Sequence, residues 1–405
     1  MTGYPTRIEF ATAAEIIRDV AGKRMLKAER VPVTRASGRV LAEAITSPIA
    51  LPPFDNSRMD GFAFAHGSLS AEGPMALRLA GEQFAGLLQD LDVAPGECVR
   101  ITTGAPLPRG TDTVAIKEDC VEEGVVVRVP AGIAAGADVR RRGEDVRAGV
   151  LVLEEGCLLT PARASLAAAL GVASLAVTQR PTVAVFTTGD ELVEPGLPLA
   201  PGQIYNSNRE LLMALLRAEG LEPTAWPSLP DDPERMTTML TDAATAFDVV
   251  ITCGGVSAGE KDHLPGLLAE HGRIHFWKVR MKPGMPVLFG EMDRALFLGL
   301  PGNPVSVLAT FLTLGRELLD GLQRRREPRP QWKAVLGAPW KKQHERLEFL
   351  RGRLDSTPDG RLQAMPNTAD ASHQLRAAAD SNALIVFPEG AHDYRAGDVV
   401  DVIGC

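Results

Sequence analysis

The chain has 405 residues, with 39 glycines, 30 prolines and only 5% aromatic residues; single cores stop growing at roughly 250–300 residues, so about two to four domains are predicted. An apolar content of 45% and a charged content of 23% are ordinary for a globular chain and exclude a wholly disordered or collagen-like one. The net charge of −8 argues against general nucleic-acid binding, and with no apolar run of about 18 residues and with Arg7, Glu9, Glu15 and Arg18 near the start, neither a membrane span nor a signal peptide is predicted, which points to a cytoplasmic protein.

Over residues 12–28, Ala14, Ile17, Val20 and Met25 recur at helical spacing, predicting an amphipathic helix behind a loose tail that contains Gly3 and Pro5. Between Pro48 and Val152 the texture changes to short Val-rich runs at 98–102, 113–117 and 125–129, separated by turn residues; this predicts a small β-rich domain. A second helix is predicted over 161–170, closed by Gly171, and Arg180-Pro181 marks a boundary.

From Pro181 to Gly321 strands predicted at 183–186, 248–252, 274–277 and 295–298 are followed by helical segments. Ser207 with Glu210 three residues on reads as a capping box, Asp232-Pro233 as an N-cap and first-turn proline, and the last helix is predicted over 304–319. This rhythm predicts an open, mostly parallel α/β sheet with helices on both faces. The basic run at 324–329 reads as a linker. Beyond it, strands predicted at 332–336, 347–354, 383–387 and 399–403 suggest a terminal β-barrel or sandwich.

In such sheets ligands bind beyond the carboxyl ends of the strands. There the sequence reads TTGDEL after the first strand, CGGVSAGEKD after the second and GLPGNP after the fourth. Glycines let a phosphate approach the backbone, and Thr187, Thr188 and Ser257 add hydroxyl donors. Carboxylates beside a phosphate require a hard cation between them, so Asp190, Glu191, Glu260 and Asp262 point to magnesium. Between His271 and Gly290, Arg273, Lys278, Arg280 and Lys282 stand without an acid, a local positive excess that calls for an anion or for a solvated edge strand.

In the β-rich part, FDNSRMDGFAF (54–64) has the turn formers of a hairpin, and RRRGED (140–145) sets three guanidiniums beside two carboxylates, suited to oxyanion contact. RITTGAPLP (100–108) places Thr102 and Thr103 before a Gly-Ala-Pro turn. A competing motif is Gly255-Val256-Ser257-Ala258-Gly259, which matches the nucleophile elbow of α/β-hydrolases with Asp293 and His344 in the right chain order. Glu260, Lys261 and Asp262 put charges where an oxyanion site needs neutral donors. The five cysteines lie far apart without metal-ligand spacing.

Taken together and in this order, FDNSRMDGFAF, TTGAPLP, RRRGED, TTGDEL, GQIYNSNR, CGGVSAGEKD, FWKVRMKPGMP and GLPGNPVS resemble the molybdopterin molybdenumtransferase family, the MoeA-like proteins related to the gephyrin E domain. The resemblance implies four domains: a linking domain from 1–47 and 147–179 that carries the N-terminal helix, a β-rich insert at 48–146, an α/β molybdopterin-binding domain at 180–327 and a C-terminal β-domain at 328–405. It implies insertion of molybdate into adenylylated molybdopterin, with Mg2+-dependent cleavage of the adenylyl pyrophosphate and release of AMP. The matching acids are Asp60, Asp145, Glu191, Asp231 and Asp262, with Asp190, Glu191 and Asp262 as the magnesium set. Thr103, Arg140, Ser257, Lys278 and Lys282 are the matching basic and hydroxyl positions, and Pro301 and Pro304 shape the last loop. A homodimer is implied in which Asp60, Thr103 and Arg140 of one subunit face the α/β loops of the other, as are contacts with other cofactor-biosynthesis proteins. One departure is Met285, where many members carry a second lysine. A non-catalytic scaffold, as in gephyrin-type relatives, is the other alternative to the transferase.

Overall fold

Continuous apolar runs without alternation form strands buried on both faces, and Val183–Thr187, Val249–Cys253 and Ala295–Leu300 are buried at every residue. The computed structural model describes residues 3–405 apart from 25, 70–72, 87–88, 258 and 260–261. Met25, Ala258, Glu260 and Lys261 of the motifs above therefore lie outside the described residues.

The central unit comprises β1 (Thr6–Ile8), α1 (Phe10–Lys23), β2 (Val183–Thr187), α2 (Ser207–Ala218), β3 (Thr224–Ala225) and α3 (Pro233–Ala246). It continues with β4 (Val249–Cys253), α4 (Leu264–His271), β5 (Arg273–Val279), β6 (Leu288–Met292), β7 (Ala295–Leu300), α5 (Pro304–Thr310) and α6 (Arg316–Leu322). The seven strands stand in the order β1-β5-β6-β7-β4-β2-β3, and only β6 runs against the rest. Side chains alternate across β2: Val183 and Val185 pack with Ile17, Leu212 and Leu318, while Ala184 and Phe186 pack with Met236, Leu240 and Leu268. Helices therefore cover both faces.

Four details depart from the sequence reading. The tail is not loose at Thr6–Ile8, which adds to the sheet edge as β1, with Thr6 opposite Trp277 and Ile8 opposite Val279. Helix α2 is capped by Asn206, whose side chain accepts the Arg209 N–H, so the cap lies one residue before Ser207. The run predicted as one helix over 304–319 holds a π-turn at Phe311–Gly315 between α5 and α6. Thr310 and Thr313 return their hydroxyls to Ser306 O and Ala309 O there, which loosens the regular ladder. Finally, Leu288–Met292 is a strand that the sequence reading left unassigned.

Residues 28–46 and 151–178 pair through Ala28–Pro32 with Ser174–Thr178 and Ile45–Thr46 with Leu151–Leu153, around a small core that includes Leu41, Leu159 and Val177. Between these segments lies a six-stranded sheet with Glu97–Ile101 and Met75–Gln83 at its centre and Gly61–Phe64 beside them. The C-terminal strands Trp332–Leu336, Leu347–Ser356, Leu362–Pro366, Ala383–Phe387 and Val399–Gly404 close on themselves, because Leu347–Ser356 pairs with both Leu362–Pro366 and Ala383–Phe387. That settles barrel over sandwich.

Candidate active site

Strands β2, β4 and β7 lie side by side and parallel, so their carboxyl ends open on one edge of the sheet. The loops that follow are tied by main-chain bonds: the Thr188 N–H donates to Cys253 O at 3.0 Å, and the Gly254 N–H to Leu300 O at 2.9 Å. Gly254 has φ +97°, and a Cβ there would sit 2.4 Å from Thr188 Oγ1. A Cβ on Gly302 would lie 3.8 Å from Gly254 Cα. Glycine at 254 thus keeps a side chain out from between the first two loops, leaving the backbone there open to approach. Pro301 and Pro304 bracket the last of these loops, Pro304 at the first turn of α5.

A polar layer supports the loops from below. Asn206, 1% exposed, donates to Thr187 Oγ1 at 2.8 Å, which also lies 3.1 Å from Ser228 Oγ. Thr187 is therefore turned to its own protein, not to a ligand as the sequence reading had it. Asn208 donates to Gly302 O at 2.6 Å and joins α2 to the third loop. Both asparagines sit in GQIYNSNR, but only the fold reveals which loops they hold.

The acids line the rim. Asp190 and Glu191 are exposed. Glu191 folds its carboxylate over Gly189, where a Cβ would lie 2.4 Å from Oε2. Asp262 accepts the Gly259 N–H on Oδ2 at 2.7 Å. Asp231 precedes the N-cap Asp232 of α3 and follows Leu229, whose N–H donates to Thr187 O at 2.7 Å. Among the described residues no three His, Cys, Asp or Glu side chains group closely enough to hold a metal alone. Carboxylates on neighbouring loops beside open backbone nonetheless match a hard cation that keeps waters and takes one or two protein carboxylates plus ligand oxygens.

The cations come from the end of β5 and the segment after it. Trp277 donates from Nε1 to Val256 O at 2.8 Å, which brings that end to the second loop. Lys278 holds a left-handed backbone at φ +70° and sets Nζ 4.0 Å from the Trp277 ring centroid. Among the described residues it has no carboxylate partner. Met281–Lys282 leaves the sheet and pairs with Leu347–Glu348 of the barrel. There Lys282 Nζ lies 2.9 Å from Glu348 Oε1 and 3.3 Å from Asp370 Oδ2. Arg280 faces Glu9 and Glu389. The positive excess of this segment is thus largely met by acids distant in sequence. Gly284, at φ +102°, packs its backbone where a Cβ would be 2.3 Å from Thr310 Cγ2, so the lysine loop is pressed onto the last helix.

A second cluster lies in the insert. Asp60 Oδ1 accepts from the Thr103 N–H at 2.7 Å and from its hydroxyl at 2.9 Å. The Thr103 N–H, then its hydroxyl, hold the Asp60 carboxyl below the usual range. In RRRGED, Arg141 is structural: it pairs with Asp55 at 2.9 Å, and Asp55 also accepts the Arg142 N–H at 2.7 Å. Arg140 stands opposite Asn56 and has no ion-pair partner among the described residues, and Asp145 is exposed, tied only through its N–H to Leu51 O. Asp55, the organiser of this turn, carried no signal in the sequence. Among the described residues no hydrogen bond or ion pair joins this cluster to the strand-end loops.

The hydrolase alternative fails on topology. Ser257 is exposed after β4, whereas Asp293, in the turn between β6 and β7, lies at the opposite end of the sheet. His344 sits in the barrel, with Nε2 3.3 Å from Glu348 Oε1. No triad assembles.

Comparison with known proteins agrees with this architecture. Family models match as the MoeA N-terminal region (domain I and II) over residues 8–171, a probable molybdopterin binding domain over 184–321 and the MoeA C-terminal region (domain IV) over 333–404. The molybdopterin molybdenumtransferase of Haemophilus influenzae is 38% identical over 92% of this chain and 93% of its own. Molybdopterin molybdenumtransferase 2 of Mycobacterium tuberculosis is also 38% identical, over 92% of this chain and 94% of its own. The crystal structure of the molybdopterin biosynthesis MoeA protein from Pyrococcus horikoshii OT3 superposes with a TM-score of 0.83 at 28% identity, covering 98% of this chain and 100% of that one. With relatives this similar aligned along nearly its whole length, the chain belongs to the MoeA family of molybdopterin molybdenumtransferases.

Proposed function

We propose that the enzyme carries out the final step of molybdenum cofactor biosynthesis, inserting molybdenum from molybdate into adenylylated molybdopterin and releasing AMP in a Mg2+-dependent cleavage of the adenylyl pyrophosphate. Family membership supports molybdenum transfer to molybdopterin. The observation that carries the finer reading is the convergence of three strand-end loops, at Thr187–Thr188, Gly254 and Gly302, between exposed acids and Lys278. Main-chain N–H groups bind and orient the pyrophosphate, and the Lys278 and Lys282 ammonium groups offset repulsion between the molybdate dianion and the anionic substrate. Asp190, Glu191 and Asp262 would hold Mg2+, which when bound polarises the scissile phosphate.

The Asp60–Thr103–Arg140 cluster belongs to the same chemistry if it faces the loops of a second copy, because nothing among the described residues links it to those of its own chain. On this reading the enzyme is a homodimer with its active site between subunits. A cytoplasmic enzyme working beside other cofactor-biosynthesis proteins suits the chain, in which no helix among the described residues is long and apolar enough to cross a membrane. The test is direct: purified protein, adenylylated molybdopterin, Mg2+ and molybdate should release AMP, and Glu191→Ala or Asp262→Ala should lose most of it. No AMP above a Mg2+-free control would reject the reading.

A further inference from the structure

The two carboxylates on Lys282 differ in kind. Glu348 is 2% exposed and fixed on all sides: Oε1 meets Lys282 at 2.9 Å and His344 at 3.3 Å, and Oε2 accepts from Trp340 Nε1 at 3.1 Å. It pairs with the lysine, whose side chain stays 29% exposed. Asp370 side-chain exposure is 45%, and its Oδ2 lies 3.3 Å from the same ammonium. A second acid on a paired lysine gains little at a solvated edge.

The backbone around Asp370 is held on both sides. The Arg351 guanidinium, 2% exposed, donates to Ala369 O and, at 3.3 Å, to Ala371 O, gripping the residues on either side. One step further, Ser372 Oγ accepts from Asn303 Nδ2 at 2.9 Å, and Ser372 O accepts the Val305 N–H at 3.3 Å, which fastens the loop to the start of α5 beside the strand-end site. The loop therefore places an exposed carboxylate on Lys282 beside Glu348, and the lysine side chain keeps 29% exposure with both acids in place.

We infer that Asp370 is an internal stand-in for the anionic ligand: its carboxylate shares the Lys282 ammonium with Glu348, and an oxyanion arriving at that ammonium competes with it and displaces it by a side-chain turn. This rests on the reading of Lys282 as an anion-binding residue. Anion affinity is then set by competition with a tethered acid, and Asp370 is a specificity-determining residue, because a dianion outcompetes one carboxylate where a monoanion does not.

The experiment is calorimetric titration of the full-length protein with sodium molybdate, and separately with sodium perchlorate as a monoanion, at fixed ionic strength. Asp370→Asn and Asp370→Ala should each bind molybdate at least about fivefold more tightly than the parent, with Asp370→Glu, which keeps the charge, close to the parent. The preference for molybdate over perchlorate should narrow in the Asn and Ala variants. Lys282→Met should weaken molybdate binding in every background. If Lys282→Met weakens binding while the Asn and Ala variants match the parent or bind less tightly, the stand-in role is overturned and the anion reading survives. Molybdate binding indifferent to Lys282→Met overturns both.

Discussion

Lys282 reaches out of the α/β unit to set its ammonium 2.9 Å from the carboxylate of Glu348, a barrel residue only 2% exposed. Burial alone would raise the Glu348 pKa, but the Lys282, Trp340 and His344 contacts more than offset it and hold the carboxyl below its ordinary value. Lys342, also buried, donates to His344 O at 2.7 Å and Gly390 O at 2.6 Å near the same acid. Glu348→Ala leaves the Trp340 N–H without its acceptor while Lys282, 29% exposed, keeps Asp370, so it should lower stability by about 1–3 kcal/mol, read as a shift in the urea midpoint at pH 7.

The same group gives a pH signature. With its folded pKa below the unfolded one, Glu348 contributes stability that is complete above about pH 4.3 and is lost as pH falls through the lower folded value. Glu348→Gln should flatten the acid limb of the stability profile and leave its neutral limb parallel to the parent. An acid limb of unchanged steepness would show that other carboxylates govern it.

Subunit mixing tests where the insert cluster acts. Asp60→Asn and Asp262→Asn should each abolish most AMP release alone. If each site combines both chains, a mixed dimer rebuilds one intact site, and an equimolar, fully exchanged mixture should recover about a quarter of parental activity. No recovery despite proven exchange would place both residues in one chain's site.

Gly254→Ala tests the loop convergence. At φ +97° an added Cβ is strained and meets Thr188 Oγ1 at 2.4 Å, so the Thr188 side chain must turn or the loops part. Strain of about 1–3 kcal/mol is expected, with a larger proportional loss of AMP release than of stability. Equal activity at unchanged melting temperature would mean that the approach of these backbones is incidental.

Ser257→Ala separates a ligand contact from a nucleophile. The transferase reading predicts AMP release reduced by no more than about tenfold, and no labelling of the parent by a fluorophosphonate. A labelled Ser257 would revive the hydrolase.

The parts of the fold that were legible are those where local sequence and burial agree. β2, β4 and β7 are apolar runs buried on both faces, and Asp232-Pro233 caps α3 as read, its carboxylate accepting the Glu234 and Arg235 N–H groups. Elsewhere the determinant lies far away in the chain. Three residues, Thr6–Ile8, show no alternation of their own and become a strand only because β5 offers an edge. Leu362–Pro366 is short and partly exposed, and its place follows from closure of the barrel. The strand-end acids could be read from glycine-bearing motifs, whereas Glu348 and Asp370 acquire meaning only once the barrel meets Lys282. Asn206 lost its cap to Ser207 in the reading because both side chains suit that role.

The attachment of β1 and α1 to the α/β sheet has a consequence for biogenesis. α1 packs against α6 closely enough that a Cβ on Gly321 would meet Ala21 Cβ at 2.8 Å, and β1 pairs with β5, yet both partners lie at the far side of the inserted segments. At roughly 5–20 residues per second, a ribosome would deliver those partners on the order of tens of seconds after the first helix emerges. Throughout that interval Ala13, Ile17 and Ala21 have no sheet to cover. The nascent α1 segment is thus a natural client for chaperones until β5 and α6 emerge.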